Sequence, residues 1–336
     1  MIRVKIAGVG AYLPKRRVHN DELALELDTS HEWIMSHTGI SYRHLASDID
    51  SASSMGLAAA RVALEMAEVE PLDLGKIILS TTTADFAPIP ATACLIQREL
   101  GALNAAAFDL AAACCGFVYG LELMRGMMQF DHRPTLLVSS ELMSRIVDWK
   151  DKKTCVLFGD GAGAAVLQAV DDNAGLGIGP GIEAEPPGII DTYMRADGSG
   201  ADFLHIEGGA RTPDSRYETS ASTLHMDGRA VFAFAIRTMP EVISALLTRN
   251  HLKIGDIDWI VPHQANYRII KSAASRLGIP LERFYLNVDE VANTASASIP
   301  IALTEMHQKG MLQSGTKIIT VGFGAGLTYG GNLIVW

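Results

Sequence analysis

Short apolar runs alternate along the chain with longer segments in which apolar residues recur at helical spacing. The short runs predict strands that are covered on both faces of a sheet, and the longer segments predict helices with one apolar face on that sheet. We predict helices at 54–67 and 239–250. This alternation is typical of an α/β fold. The predicted strands are 76–80, 107–110, 133–139, 154–158, 258–261, 284–287 and 317–321.

The two halves of the chain contain copies of one pattern. A Leu-Gly pair at 100–101 precedes a predicted strand and Cys114, and a second pair at 277–278 precedes a predicted strand and Asn293. The two pairs lie 177 residues apart (277 − 100), and Cys114 and Asn293 lie 179 apart (293 − 114). A duplicated fold would bring the thiol and the amide to one point, which predicts an active site between two halves.

We expect the halves to be residues 1–170 and 171–336, packed as one unit because no linker divides them. Residues 183–225 interrupt the repeat, and their Gly, Pro, Ser and Asp content predicts an insertion, either a pocket lid or wall or an ordinary surface loop. Each half also has a glycine-rich stretch. We interpret 158–164 as structural and 323–330 as a close approach of backbone to a reacting group.

Composition narrows the class of protein. The 336 residues are 48% apolar with a net charge of −10, which allows a large core and argues against general nucleic-acid binding. The longest uncharged apolar run near the centre, 110–121, is too short to span a bilayer, and 1–7 alternates like a strand rather than a signal peptide. The four cysteines lack zinc-site spacing, and nothing indicates an oxidising compartment. We expect a cytoplasmic enzyme with no metal and no membrane segment.

Three residues are candidates for chemistry. Cys114 lies where a predicted strand turns into a helix, and a helix N-terminus can stabilise a thiolate. The alternative is a structural cysteine, and spacing alone does not separate Cys114 from Cys115. His263 follows a predicted strand, at the edge where sites of α/β sheets collect, although a structural role is equally open. Asn293 would ordinarily cap a helix, but its equivalence to Cys114 favours a functional role.

Six segments that follow one another along the whole chain carry a family resemblance: DTSHEWIMSHTGI (28–40), FDLAAACCGFVYGL (108–121), FGDGAGAAVL (158–167), VPHQANYRI (261–269), NTASASIP (293–300) and GFGAGLTYG (322–330). Together they resemble the ketoacyl-ACP synthase III family, condensing enzymes of the thiolase superfamily. The resemblance implies an α/β, thiolase-like, five-layered αβαβα fold with two pseudo-repeated halves, and a homodimer. It also implies that Cys114 is the nucleophile and that His263 and Asn293 complete the catalytic set.

The resemblance implies a reaction as well. Cys114 would take the acyl group of an acyl-CoA starter while the backbone N–H groups of Cys114 and Ala325 hold the oxyanion. Malonyl-ACP would then lose CO2, and neutral His263 and Asn293 would stabilise the enolate that attacks the acyl-Cys114 carbonyl. The CoA and ACP thioesters would be substrates in initiating fatty acid or related biosynthesis, and no cofactor is expected.

Five residues are implied to contact coenzyme A. In the family, a tryptophan and an arginine hold the adenine, and further basic residues hold the phosphates. Trp33 matches the tryptophan, His37 replaces the arginine, and Lys152 replaces another family arginine. Because imidazole has little charge at neutral pH and lysine lacks a planar fork, a CoA-linked starter would bind more weakly, or the donor would arrive on another carrier. Asn266 and Arg268 complete this predicted set.

Two further groups of residues are expected to bind substrate. Arg268, Lys271 and Arg276 would dock the acidic acyl carrier protein through positive charge. Ile89 would enter the acyl pocket from the partner subunit of the dimer. The other predicted lining residues of the acyl pocket are Met143, Phe158, Leu204, Leu224, Met226 and Phe323.

Three other functions are compatible with parts of the pattern. The first is a synthase-III-like acyltransferase of secondary metabolism that moves an acyl group to an acceptor other than ACP. The second is a cysteine hydrolase, because Cys, His and Asn occur in papain-like order, although the papain-type local signature is missing. The third is a non-catalytic subunit of a synthase pair, against which the intact Cys114, His263 and Asn293 set argues.

Overall fold

Strands and helices alternate along the chain, which the computed structural model describes over residues 2–86, 89–170, 186–206 and 223–336. Within these ranges the strands are β1 (Arg3–Tyr12), β2 (Arg16–His19), β3 (Tyr42–Leu45), β4 (Lys76–Ser80), β5 (Ala106–Leu110), β6 (Thr135–Leu142), β7 (Asp160–Val170), β8 (Gly188–Ala196), β9 (Leu204–Ile206), β10 (Leu224–Met226), β11 (Trp259–Pro262), β12 (Lys317–Gly324) and β13 (Thr328–Val335). The α-helices are α1 (Asn20–Ala24), α2 (His31–Thr38), α3 (Ala52–Ala67), α4 (Thr92–Leu100), α5 (Gly116–Met127), α6 (Gly228–Arg249), α7 (Tyr267–Leu277), α8 (Val288–Val291) and α9 (Ser298–Gln308).

Two sheets repeat one topology. The first has the strand order β1-β7-β6-β4-β5, and the second has the order β8-β13-β12-β11. In each sheet the first two neighbouring pairs are antiparallel and the following pairs are parallel. Phe284 then bridges Ile260 in parallel, at the position that β5 holds in the first sheet. The repeat found in the sequence therefore corresponds to one sheet topology that occurs in both halves of the structure.

Helices form three layers around the two sheets. Helices α3 and α4 pack on one face of the first sheet, and α6 and α7 pack on one face of the second. Helices α5 and α9 lie between the sheets and contact strands of both. Because α9 is covered from both sides, it is buried without a break from Ser298 to Thr304. The result is the five-layered αβαβα arrangement that the resemblance implied.

The two Leu-Gly pairs end equivalent helices. Gly101 follows α4 with a φ of 69°, and Gly278 follows α7 with a φ of 64°. Glycine adopts this left-handed conformation without the steric cost that a Cβ brings, which is why it commonly ends helices. At the other end of α7, the Asn266 side chain accepts the Arg268 N–H and caps the helix next to the site.

Three predicted segments differ in the structure. Residues 154–158 form turns instead of a strand, and Phe158 joins Asn293 in an isolated bridge. Residues 284–287 likewise form a bridge at Phe284 instead of a continuous strand. Residues 188–196, which we placed in the 183–225 insertion, are β8, a strand of the second sheet. Short apolar runs occur both in strands and in buried turns, so they do not distinguish the two. The Gly, Asp and Thr residues of β8 are typical of loops, which is why this strand was assigned to the insertion.

The remaining part of the expected insertion includes a short hairpin of β9 and β10. Residues 171–185 and 207–222 lie outside the described residues, and so does one side of the boundary expected at 170–171. Among the described residues, α6 has the length and composition of a membrane-crossing helix. It buries a face that includes Met239, Val242 and Leu246 in the core shared with the second sheet, as a helix packed on a sheet does.

Candidate active site

Cys114 and Asn293 lie in equivalent turns of the two halves. Cys114 lies between β5 and α5, and Asn293 lies between α8 and α9. The residue before each is an alanine with a positive φ, 45° at Ala113 and 59° at Ala292. Residues with a Cβ rarely adopt this conformation, and such strained positions cluster at functional sites. Each half therefore turns its backbone sharply just before the residue that it presents.

The structure places the sulfurs of Cys114 and Cys115 in different surroundings. Cys114 lines a large cavity, whereas Cys115 is fully buried in the hydrophobic core. Burial and, secondarily, the charge of Glu141 raise the pKa of the Cys114 thiol to about 12. The resting group at neutral pH is therefore a thiol, because burial outweighs the stabilisation that a helix N-terminus can offer a thiolate.

The glycine-rich turn between β12 and β13 lies against the Cys114 backbone. A Cβ at Gly324 would lie 2.9 Å from the Cys114 backbone nitrogen and 3.0 Å from the Cys114 Cβ, so glycine is the residue that fits. The next residue, Ala325, lines the cavity together with Cys114. This is the close backbone approach predicted for 323–330, and it makes the N–H groups of Cys114 and Ala325 candidates for an oxyanion hole.

His263 directly follows β11 and is 1% exposed. Burial lowers its pKa to about 3, so the imidazole is neutral at physiological pH, as predicted. Its Nδ1 lies 2.7 Å from Ser298 Oγ, and the Gln264 N–H donates to the same oxygen at 3.4 Å. The Ser298 hydroxyl has one proton to donate, and we assign it as donor to Nδ1, which leaves the imidazole proton on Nε2.

The turn that follows Asn293 orients its side chain. Asn293 Oδ1 accepts the Ala295 N–H at 2.9 Å. The Asn293 backbone is held as well, because its N–H donates to the Leu157 carbonyl at 3.0 Å and its carbonyl accepts the Gly159 N–H at 3.1 Å. Since the side-chain oxygen is occupied, the Nδ2 group is the donor that Asn293 can offer to the cavity.

One cavity of about 860 Å³ is lined by all three candidate catalytic residues, Cys114, His263 and Asn293. Most of the other lining side chains are apolar, and they come from both halves and from the β9–β10 hairpin. The arrangement therefore combines a thiol with two neutral hydrogen-bond donors in a mostly apolar space. Such a site can carry an acyl group on sulfur and stabilise an enolate oxygen without a fixed positive charge.

Known proteins match the chain over its whole length. Residues 108–180 match the family model described as 3-oxoacyl-[acyl-carrier-protein (ACP)] synthase III, and residues 247–336 match the model of its C-terminal part. The beta-ketoacyl-[acyl-carrier-protein] synthase III of Clostridium beijerinckii is 44% identical over 341 aligned residues, which cover 100% of both chains. The chain belongs to the synthase III family.

Solved structures of other synthase III proteins support the same assignment. The crystal structure of 3-oxoacyl-[acyl-carrier-protein] synthase III from Aquifex aeolicus matches with a TM-score of 0.88 at 37% identity, covering 99% of this chain and 100% of that one. The priming beta-ketosynthase of the R1128 polyketide biosynthetic pathway also matches with a TM-score of 0.88, at 35% identity, covering 99% and 96% of the two chains. Similarity at this level includes proteins named as 3-oxoacyl-[acyl-carrier-protein] synthase III and a priming ketosynthase of a polyketide pathway.

The predicted coenzyme A contacts of this synthase III lie together at the same cavity, whose lining includes all five of them. The His37 ring stacks on Trp33, with centroids 4.2 Å apart and planes inclined by 22°. His37 Nδ1 also lies 2.7 Å from the Trp33 carbonyl. Lys152 Nζ donates to the Asp28 carbonyl at 2.6 Å and lies 5.8 Å from the Trp33 ring centre. The other two residues of the set, Asn266 and Arg268, belong to the start of α7.

Some of the residues predicted to bind ACP or the acyl chain line the cavity, and others do not. Lys271 and Arg276 are exposed on α7 and do not belong to the cavity lining, and the Arg276 guanidinium donates to the Ile236 carbonyl at 2.8 Å. Ile89 is 80% exposed and does not line the cavity of its own chain, so a role in the acyl pocket requires a second subunit and stays a prediction. The predicted pocket residues that do line the cavity are Met143, Phe158, Leu204, Leu224, Met226 and Phe323.

Two polar residues behind the synthase III cavity were not predicted. Ser298 contacts His263, and its place in the NTASASIP segment, five residues after Asn293, was a signal that could have identified it. Glu141 lies near the Cys114 sulfur and raises its pKa. It is the second-last residue of β6, and because an acid at the end of a strand is usually solvated, its burial could not be inferred from the sequence.

Proposed function

We propose that this chain catalyses the decarboxylative Claisen condensation of an acyl-CoA starter with malonyl-ACP and so initiates fatty acid or related biosynthesis. The observation that carries the proposal is the apolar cavity lined by one thiol and two neutral donors, Cys114, His263 and Asn293. Each group matches one need of the reaction: sulfur to carry the acyl chain, and two hydrogen-bond donors for the enolate oxygen.

In the first step, the Cys114 sulfur attacks the thioester carbonyl of the starter. The backbone N–H groups of Cys114 and Ala325 donate to the oxyanion that forms. Collapse of this adduct breaks the bond between the acyl carbon and the CoA sulfur. Because the pKa of Cys114 is raised to about 12, its proton leaves during the attack and ends on CoA as the free thiol.

In the second step, malonyl-ACP loses CO2, and the electron pair of the broken C–C bond forms an enolate. His263 Nε2–H and Asn293 Nδ2–H donate to the enolate oxygen. The carbanion attacks the acyl-Cys114 carbonyl, forms the new C–C bond and expels the Cys114 sulfur, which takes up one proton. Since both donors are neutral, they bind the charged enolate better than the thioester without trapping the malonyl carboxylate as an ion pair.

Intact mass measurement tests both steps. Wild-type protein mixed with a panel of acyl-CoAs gains the mass of one acyl group, Cys114→Ala gains none, and Cys115→Ala serves as the matched control that still gains it. Adding malonyl-ACP removes the adduct and releases CO2 and β-ketoacyl-ACP. An adduct released only by water would support the hydrolase instead, and an adduct that persists in Cys114→Ala would overturn the assignment of the nucleophile.

The mouth of the cavity favours a second candidate, an acyltransferase of secondary metabolism whose donor or acceptor differs from the usual pair. His37 already stacks on Trp33, where the family places the adenine, and Lys152 is engaged by Asp28. Adenine would have to displace His37, which weakens recognition of CoA but not of a phosphopantetheine arm on a carrier protein. We expect His37→Arg to lower KM for acyl-CoA several-fold and leave KM for acyl-ACP unchanged, with exposed His132→Arg as the matched control.

We further propose a cytoplasmic homodimer with no membrane or nucleic-acid partner. The exposed Ile89 and the outer edge of β5, the last strand of its sheet among the described residues, would both be covered by a second copy. Light scattering that gives the 36.1 kDa of one chain would contradict the dimer.

We also propose that the reaction requires no metal or cofactor, because both steps balance with the two thioesters and the side chains named above. Activity retained after dialysis against EDTA would support this proposal.

A further inference from the structure

Glu141 is a fully buried carboxyl group at the boundary of the two halves. Its Oε2 accepts the Thr82 N–H at 2.9 Å and the Thr82 hydroxyl at 2.7 Å. Its Oε1 accepts the Ser296 hydroxyl at 2.6 Å. Among the described residues, no lysine or arginine neutralises it. Burial of an acid without a cation is costly, and the surrounding donors offset that cost only while all of them are in place.

The hydrogen bonds of Glu141 lead to the amide of Asn293. Ser296 directly follows Ala295, whose N–H holds Asn293 Oδ1 at 2.9 Å. Asn293, Ala295 and Ser296 belong to one tight turn, in which Ala295 has a φ of 47°. A non-glycine residue in this conformation needs support from its surroundings. The hydrogen bond from the Ser296 hydroxyl to Glu141 connects that turn to β6 of the first half.

We infer that Glu141 is a positioning residue that holds the Asn293 amide, through Ser296 and Ala295, in the orientation needed for decarboxylation. The inference rests on the proposed function, because it assigns Asn293 to the malonyl step. Glu141 joins both sides of the site: Thr82 lines the cavity from the first half, and the Ser296 turn presents Asn293 from the second. Losing the carboxyl group removes this contact to the turn but leaves the close packing of Gly324 against the Cys114 backbone unchanged.

A glutamine at this position can keep the connection. Its oxygen would accept both Thr82 donors, and its NH2 group would donate to Ser296 Oγ. The Ser296 hydroxyl would then turn its proton to the Ser80 carbonyl, which lies 3.4 Å away. Alanine offers neither group, so Glu141→Gln and Glu141→Ala separate the positioning contact from the mere presence of a charge.

The test measures the two half-reactions separately. Acylation of Cys114 is followed by intact mass after mixing with acyl-CoA, and decarboxylation is followed as CO2 released from malonyl-ACP. We expect Glu141→Ala to slow decarboxylation about 10- to 100-fold, to slow acylation less than about threefold, and to leave KM for malonyl-ACP nearly unchanged. Glu141→Gln restores decarboxylation to within several-fold of wild type.

Two further variants keep the test decisive. Ser296→Ala removes the hydroxyl contact from the other side and keeps the Ser296 backbone contact to Glu141, so it gives a smaller defect of the same kind even where Glu141→Ala fails to fold. Thr304→Ala removes a buried hydroxyl that donates to the Pro300 carbonyl at 2.8 Å in α9, and it serves as a stability control with both half-reactions intact. Equal loss in both half-reactions, or undiminished CO2 release from Ser296→Ala, would overturn the inference. Failure of wild type itself to decarboxylate malonyl-ACP would instead refute the proposed function.

Discussion

The contact between Gly324 and Cys114 is the part of the site most sensitive to a single methyl group. In Gly324→Ala, the new Cβ would lie 2.9 Å from the Cys114 nitrogen, 3.0 Å from its Cβ and 3.3 Å from its Cα. Ordinary contacts of a Cβ begin near 3.4 Å, so the two backbones must separate by about 0.5 Å (3.4 − 2.9). The neighbouring atoms are backbone and Cβ atoms, which cannot rotate away as a flexible side chain would.

The size of the expected defect follows from two estimates. A misplacement of about 1 Å can cost roughly 100-fold in rate, so half that distance costs roughly tenfold. Loss of one oxyanion-hole donor costs roughly 100- to 1,000-fold, and the Cys114 N–H is the atom that the new methyl group meets. We therefore expect acylation of Cys114 to slow about 100-fold in Gly324→Ala. Overpacking also costs stability, about 1–3 kcal/mol.

Single-turnover acylation, read as the rate of mass gain with acyl-CoA, measures this effect directly. Gly126→Ala is the matched control, because Gly126 lies in α5 and a Cβ there meets nothing within 4 Å. Alanine is favoured over glycine inside helices by roughly 1 kcal/mol, so this control should be at least as stable as wild type and fully active. Acylation of folded Gly324→Ala within threefold of the wild-type rate would refute the proposed contribution of this backbone contact.

Three other outcomes follow from the same structure. Because the pKa of Cys114 is raised to about 12, its alkylation by iodoacetamide rises roughly tenfold per pH unit from about pH 7 to 10, and a plateau near neutrality would contradict a thiol resting state. Ser298→Ala leaves His263 Nδ1 buried without a partner, so CO2 release falls about tenfold or more while Cys114 acylation changes little; equal losses would speak against the assigned tautomer. Ala292 has a φ of 59°, so Ala292→Gly should leave the free energy of unfolding in urea unchanged or raise it by up to about 1 kcal/mol. The control Ala59→Gly in α3 should lower the free energy of unfolding by about 1 kcal/mol or more. A larger loss for Ala292→Gly than for Ala59→Gly would show that the backbone at 292 is not strained.

Much of the fold could be predicted because local signals and the repeat agree. The buried strand at 76–80 is confirmed residue for residue as β4, since its apolar run is bounded by a turn and a polar segment. The Leu-Gly pairs marked two equivalent helix ends because both helices close with glycine in a left-handed conformation. Cys114 and His263 could be selected because each follows a predicted strand that the structure contains, whereas Asn293 follows the unpredicted helix α8 and was found through its equivalence to Cys114 and the family resemblance.

The parts that could not be predicted depend on contacts between distant segments. The segment at 154–158 has strand-forming residues, but its neighbour across space is the Asn293 turn, which offers a single bridge instead of a strand edge. Glu141 reads as an ordinary acid near a strand end until Ser296, 155 residues away, is placed against it. The stacking of His37 on Trp33 depends on how the side chains orient on α2, which sequence spacing does not determine.

The duplicated fold explains why the site divides its chemistry between two halves. In the proposed mechanism Cys114 of the first half bonds covalently to the acyl group, and Gly324 of the second half packs closely against the Cys114 backbone. The second half presents His263 and Asn293, which the proposed mechanism uses as neutral donors, and burial keeps His263 neutral by lowering its pKa to about 3. In that mechanism, neutral donors in a mostly apolar site gain most when negative charge appears on the enolate, so they act on the transition state more than on bound malonyl-ACP. A protonated imidazole would hold the malonyl carboxylate and slow the loss of CO2. The same burial that makes Cys114 a thiol therefore also makes His263 a suitable donor.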